Sequence, residues 1–271
     1  MIPKISANIL IRNEVLQVDG LIQNLLDADV DELVFLDGGS TDGTYEKLVS
    51  YEETYEHIII LRWPQPSQSE YKCGFREKDR RNLMMQASNG DYVLYIDADE
   101  RIDVDFKEKI KDINVDVYAI IRWHFWNEQI RINMQNDKVW SPELQFRIVK
   151  NDGKFKFASK DANGLHNYLS KHTFRLYNEF SNTIWKKIIA KFINACNGIN
   201  LKKVNILIYH LHYYDVKNGI KVNDLRQCDF EKKALLLDNI YAGLQYDFLK
   251  EKFICCFDDG KYINIIKKYI N

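Results

Sequence analysis

Four short apolar runs, separated by three segments of helical spacing, occupy the first 96 residues, and few folds accept that alternation. The runs are 5–11, 32–37 (ELVFLD), 57–63 and 91–96 (DYVLYI). The intervening 18–28 carries apolar residues at Leu21, Ile22, Leu25 and Leu26, one face of a helix. Residues 44–51 and the charged stretch 75–88 read the same way, and Gly38-Gly39-Ser40-Thr41-Asp42-Gly43, Pro64/Pro66 and Asn89-Gly90 mark turns. Strands alternating with helices imply βαβ units, hence a mostly parallel sheet covered on both faces. Ligands of such sheets bind beyond the carboxyl ends of the strands. Here those ends are polar: Asn13 and Glu14 after the first run, Asp37 closing the second, Asp97 and Asp99 after the fourth.

After Asp103 the texture changes. Runs at 115–126, 129–134, 144–149 and 154–157 have short connections, which predicts a mixed or antiparallel extension; it gathers Trp123, Phe125, Trp126 and Trp140. These aromatics suit either core packing or the apolar face of a sugar. From 215 onward apolar residues recur at helical intervals (Leu236, Ile240, Leu244, Phe248). The expected organisation is one domain over 1–214, with a helical C-terminal extension over 215–271 packed on it.

Charge and cysteine usage exclude some classes. Lys and Arg number 38 against 39 Asp and Glu, a net charge of -1, which argues against a nucleic-acid partner because phosphate neutralisation needs excess cations. Five scattered cysteines include no C-x-x-C pair, so neither a zinc ribbon nor a disulfide scaffold is expected, and adjacent Cys255 and Cys256 read as apolar filling of a helix. The opening MIPKISANILIRNE reaches charge too early for a signal peptide, and no uncharged run spans a bilayer. The expectation is a cytoplasmic protein without a transmembrane segment. Lys267 and Lys268 leave open a peripheral position at the inner face of a membrane, and a homo-oligomer is equally open.

Side chains two apart on an extended segment point the same way, so Asp97 and Asp99 would present both carboxylates to one point. Hard divalent cations take such oxygens and bring substrate phosphates with them. The plain alternative is a solvated turn.

Three blocks carry a resemblance. They are ILIRNE (9–14) leading to LVFLDGGSTDGT (33–44); RRN (80–82) before DYVLYIDADER (91–101); and FRIVKNDGKFKF (146–157) followed by GLHN (164–167). With IYHLHYY (208–214), the sequence resembles the family 2 glycosyltransferases, in the DADE-containing branch that includes lipopolysaccharide-core and peptide glycosyltransferases. The resemblance implies a GT-A fold, Rossmann-like, with a mixed sheet flanked by helices. It implies a metal-dependent, inverting hexosyltransferase that uses Mn2+ or Mg2+ and a nucleotide-diphosphate sugar, a UDP-sugar before others. The acceptor would be a glycan, a lipid-linked sugar or a peptide.

Site roles follow from the same resemblance. Asp37 would accept from the nucleotide base, with Ile11 to Asn13 walling the pocket and Glu14 near the ribose. Gly38, Gly39 and Ser40 would let the chain pass close to the nucleotide, and Asp42 suits a helix N-cap. Arg81 would reach the nucleotide or diphosphate, although it could also lie on a solvated helix face. Asp97 would meet the ribose or the metal, and Asp99 the metal directly. His210 and His166 are further candidate metal ligands, with His212 a close neighbour of the first and Asn167 standing where the family has an acid after the second. Glu143, following the aromatic segment, is the candidate base for the acceptor proton, ahead of Glu100 and Asp137. A nucleotidyltransferase would want a glycine-rich loop after the first strand, which ILIRNEVLQ lacks. A non-catalytic nucleotide-sugar-binding module that retains the fold stays open as an alternative.

Overall fold

The computed structural model describes residues 2–65, 76–125, 130–132, 134–135, 138–139, 143–159, 167–171, 174–176, 183–210, 256–257 and 268–269. In chain order its strands and helices begin β1 (Ile5–Ile11), α1 (Val18–Asp27), β2 (Glu32–Asp37), α2 (Thr44–Glu52), β3 (Ile58–Arg62), α3 (Glu77–Ala87), β4 (Tyr92–Tyr95), β5 (Glu100–Ile102) and α4 (Phe106–Lys109). They continue with β6 (Val117–Phe125), β7 (Ile130–Ile132), β8 (Met134–Gln135), β9 (Lys138–Val139), β10 (Glu143–Lys150), β11 (Phe155–Ser159), β12 (Asn167–Lys171), β13 (Phe174–Arg175), α5 (Ile184–Cys196), β14 (Leu201–His210) and β15 (Cys256–Phe257).

The main sheet runs β15-β7-β6-β10-β4-β1-β2-β3, with β14 pairing both β5 and β6. β1 is parallel to β2 and β4, and β2 to β3; β10 then runs antiparallel to β4 and β6 antiparallel to β10. The mixed, helix-flanked sheet is the architecture the GT-A resemblance implied. β11, β12 and β13 form a separate antiparallel sheet, tied to α3 where Asn82 both donates to the Phe157 carbonyl (3.0 Å) and accepts from its N–H (2.8 Å).

The strand runs are predominantly apolar because both faces of the parallel half are covered. On one face Ile5, Ala7, Ile9 and Ile11 pack with Leu21, Ile22 and Leu25 of α1. On the other, Val34 and Leu36 lie with Met84 of α3. Two polar residues of β1 are buried: Ser6 donates to Glu32 (2.5 Å) and accepts from the Gly90 N–H (2.8 Å), and Asn8 Oδ1 accepts from Ser88 Oγ (2.8 Å). A side chain at Gly90 would collide with the Ser6 backbone at 2.6 Å, so this helix-to-strand turn requires glycine.

Two local expectations are revised. The D-x-D segment is not extended: the Glu100 N–H bonds the Asp97 carbonyl (3.0 Å), closing a turn, and Glu100 starts β5. Cys256, expected in a helix, lies in β15 opposite Arg131 of β7. A short apolar run such as FICCF serves a strand as readily as a helix. The rest of 215–271 lies outside the described residues, apart from Lys268 and Tyr269. There Lys268 and the Tyr269 hydroxyl each reach Asp27 at 2.6 Å, and the Tyr269 carbonyl accepts from Arg101 Nε (3.0 Å).

Candidate active site

Two polar clusters form at the carboxyl ends of the parallel strands, and sequence-local hydrogen bonds build the first. Asp37, fully buried at the end of β2, accepts from the N–H of Gly39 (2.9 Å) and from the N–H and hydroxyl of Ser40 (3.1 and 2.5 Å). Gly39 sits at φ 85°, a left-handed conformation that favours glycine. Arg62 Nε stands 3.5 Å from the same carboxylate and stacks over Tyr45, a contact the sequence reading missed. Asp37 is therefore first a clamp on its own turn. Asn13, itself at φ 55°, ties β1 in: its N–H donates to Ser40 Oγ and its Oδ1 accepts from Thr41, both at 2.9 Å. The Ile11 carbonyl accepts from Gly38 (2.8 Å) and the Glu14 N–H donates to Thr44 Oγ1 (2.9 Å).

Asp42 differs from expectation in detail. The N-cap of α2 is Gly43, and Asp42, one residue earlier, accepts from the N–H groups of Thr44 (3.0 Å) and Val15 (3.1 Å). Burial opposes its ionisation, but the bonds from Thr44 prevail and hold its carboxyl below the usual range.

The second cluster surrounds the acidic turn after β4. Asp97 faces two guanidiniums, Arg147 at 3.2 Å and Arg81 at 3.8 Å. Burial works against its charge, but Arg147 and then Arg81 outweigh it, so the carboxyl ionises more readily than an ordinary aspartate. Arg81 is not on a solvated face: it bonds Glu77 (2.7 Å) and lies against the rings of Phe157 and Tyr95. Its neighbour Arg80 is the fully buried one, donating to the carbonyls of Trp63 and Pro64.

Glu100, weighed as a base, is instead the buried centre of an ion-pair network. It accepts from Arg147 (2.8 Å), Arg122 (3.3 Å) and the Asp97 N–H (2.9 Å). Burial pushes its carboxyl up to about 7, with Arg147 pulling the other way. A group so enclosed has no path to an acceptor hydroxyl. Arg147 comes from β10 and Arg122 from β6; both escaped the sequence reading, although Arg147 lies inside the block FRIVKNDG.

β14 completes the cluster. Its last residue, His210, is in register with Glu100 of β5, and His210 Nε2 stands 3.7 Å from Asp99 Oδ1. Among the described residues no group of three or more His, Cys, Asp or Glu is assembled for a metal. The donor chemistry nevertheless fits a divalent cation shared with a substrate, since Mg2+-type ions take one or two carboxylates and fill the remaining positions with phosphate oxygens and water.

Of the remaining expected residues, the main chain of Glu143 opens β10 opposite Arg122. His166, His212, Asp137, Trp126 and Trp140 lie outside the described residues.

Comparison with solved structures gives distant likenesses. TarS of S. aureus (residues 1–349) is 18% identical, covering 59% of this chain and 52% of that one, with a TM-score of 0.43. The mannosyltransferase PcManGT from Pyrobaculum calidifontis, in complex with GDP-Man and Mn2+, is 14% identical over 82% and 66% of the two chains, with a TM-score of 0.47. Glucosyl-3-phosphoglycerate synthase from Mycobacterium tuberculosis is 20% identical over 44% of each, with a TM-score of 0.32. The chain thus spans about half the length of the TarS structure it matches. Among curated proteins none matches this sequence. The family profile described as glycosyl transferase family 2, however, matches residues 6–158, more than half of the chain. That span holds β1, the Asp37 turn, Arg81, the acidic turn and Arg147, and by it the chain belongs to glycosyl transferase family 2.

Proposed function

We propose that this glycosyltransferase moves a sugar from a nucleotide-diphosphate donor, a UDP-sugar before others, onto a glycan, lipid-linked or peptide acceptor, with inversion in one displacement and a Mn2+ or Mg2+ ion. The observation that carries the reading is the acidic turn: Asp99 beside His210, with Asp97 pinned by Arg147 and Arg81. Asp99 and His210 would hold the ion, together with oxygens of the donor. Once bound, it supplies charge stabilisation of the departing diphosphate.

The chain's own residues do the rest. Arg147 and Arg81 fix the Asp97 carboxylate, so it is ionised and oriented before any ligand arrives. The Asp37–Ser40 clamp and Asn13 hold the β1 and β2 ends where a nucleoside would lie. Glu143 is assigned the acceptor proton. Its support is the main-chain register that sets it opposite Arg122, whose guanidinium reaches Glu100 of the acidic turn. Direct proton abstraction would require it within hydrogen-bond reach of the acceptor hydroxyl.

A thermal-shift panel of UDP-, GDP-, CMP- and dTDP-sugars, each with and without manganese, tests the donor site on wild type and Asp99→Ala. At a hundred times its dissociation constant a ligand stabilises by about 2.7 kcal/mol. The expected result is a manganese-dependent shift with one nucleotide class that Asp99→Ala abolishes. If no nucleotide shifts the wild type, the donor site does not exist as described.

A further inference from the structure

The helix that precedes β14 is built the wrong way round for a helix whose only neighbour is its own domain. α5 turns just two buried side chains, Ala190 and Asn194, toward the protein. Ile184, Trp185, Ile188, Ile189 and Phe192 are instead between 53% and 74% exposed. At about 100° per residue these five fall within an arc of roughly 140°, centred nearly opposite the Ala190/Asn194 strip. Lys187 and Lys191 border one side of that arc, and Lys186 lies just past the other. Large apolar side chains gathered on the outer face of a helix mark a surface that another phase or partner covers.

Charge selects the occupant. Residues 180–214 contain five lysines and no aspartate or glutamate, in a chain whose net charge is -1. Of the five, Lys202 faces Asp112, while the three on α5 sit beside the apolar arc. A second copy of this chain would bring three more lysines against these three. The segment 215–271 carries ten Lys and Arg against nine Asp and Glu, so it has no net negative charge to set against these lysines. An anionic lipid surface supplies both what the face needs: acyl chains for Ile, Phe and Trp, and phosphates for the flanking lysines. We propose that α5 lies in the plane of an anionic membrane interface, burying its Trp185–Phe192 face, and that it docks the enzyme there without spanning. Consistent with docking, no helix among the described residues is long and apolar enough to cross a membrane. The proposal does not depend on which sugar or acceptor the site uses.

Co-sedimentation of the full chain with vesicles of phosphatidylcholine, alone or mixed with phosphatidylglycerol, is the test. Wild type should pellet with the mixed vesicles and remain in solution with phosphatidylcholine alone. Replacing Lys186, Lys187 and Lys191 together by Gln should weaken binding on the order of a hundredfold, at about fivefold per lysine. Phe192→Ser combined with Trp185→Ser should abolish it. All five side chains are exposed, so unchanged melting temperatures are expected and show that the variants fold. Absence of wild-type binding, or binding untouched by both sets of changes, overturns the proposal. So does a dimer in sedimentation equilibrium that Ile188→Glu dissociates, which would make a second copy the occupant. Iodide quenching of vesicle-free protein, compared with Trp185→Phe, closes the last route: a shielded Trp185 would mean the chain covers this face itself, whereas an open one is expected.

Discussion

Replacing Arg147 with Met removes a guanidinium and nearly preserves its volume. In the structure that group bonds Glu100 at 2.8 Å and Asp97 at 3.2 Å and reaches the Tyr95 carbonyl at 3.5 Å. At an effective dielectric near 20 the attraction to Glu100 alone is about 6 kcal/mol, part of which is returned because the arginine is no longer desolvated. Breaking a buried pair from one side leaves a net loss of about 3–5 kcal/mol, and that is the expected destabilisation. Among the described residues Glu100 would keep only Arg122, at 3.3 Å, as a countercharge. Glu100→Gln removes the orphaned charge, so the double variant should recover about 2–3 kcal/mol relative to the sum of the singles. Urea unfolding of all four proteins measures this cycle. The pH dependence gives a further check: Glu100 already titrates near 7, so at lower pH it takes up a proton and needs no partner. The cost of Arg147→Met should grow as pH rises from about 6 to 8, by at most about 1.4 kcal/mol per unit. A loss below about 1 kcal/mol, or a cycle that closes to zero, would refute the claim that Arg147 holds the acidic turn together.

Two predictions concern the contact between α1 and the chain's last residues. In an ordinary helix Gly20→Ala would stabilise by about 1 kcal/mol, but here the new Cβ would sit 2.0 Å from the Tyr269 carbonyl oxygen and 3.1 Å from Arg101. The expected outcome is therefore a destabilisation of about 1–3 kcal/mol in urea unfolding, and a gain in stability would contradict the contact. Asp27 is held below its ordinary 3.8 chiefly by the bonds from Lys268 and Tyr269. A depressed carboxylate contributes stability above its unfolded value and loses it as pH falls through the lower folded one. Hydrogen-exchange protection at Lys268 and Tyr269 should therefore fall away below about pH 4 in the wild type, and should be weak and flat with pH in Asp27→Asn. Equal pH dependence in both proteins would show that Asp27 is not the anchor.

Local pattern was enough for the parallel half of the sheet. β1 and β2 occupy the residues expected of them, and β3 and β4 fall within the expected runs, because strand and turn signals there lie within a few residues of one another. The first cluster was legible for the same reason. Asp37, Gly39 and Ser40 form one turn, and Asn13 follows the adjacent strand. A turn was legible after β4, but not its partners: Glu100 accepts from the Asp97 N–H and from two arginines of strands distant in sequence. Nor did α5 announce itself, since apolar residues flanked by lysines give no hint of which face meets the protein.

The sequence by itself determined that strands would alternate with helices and end in carboxylates, and it named Asp97, Asp99, Arg81 and His210 as candidates. Only the tertiary structure decided what those carboxylates face. Arg147 lies 50 residues from Asp97 and 47 from Glu100 along the chain. The strands that deliver the partners are β10, β6 and β14, and their registers are set by pairings to β4, to one another and to β5. A one-residue slip in any of them would turn Arg147, Arg122 or His210 to the opposite face of the sheet. Periodicity states which residues share a face of one strand, whereas a site shared by several strands exists only once their registers are fixed against each other.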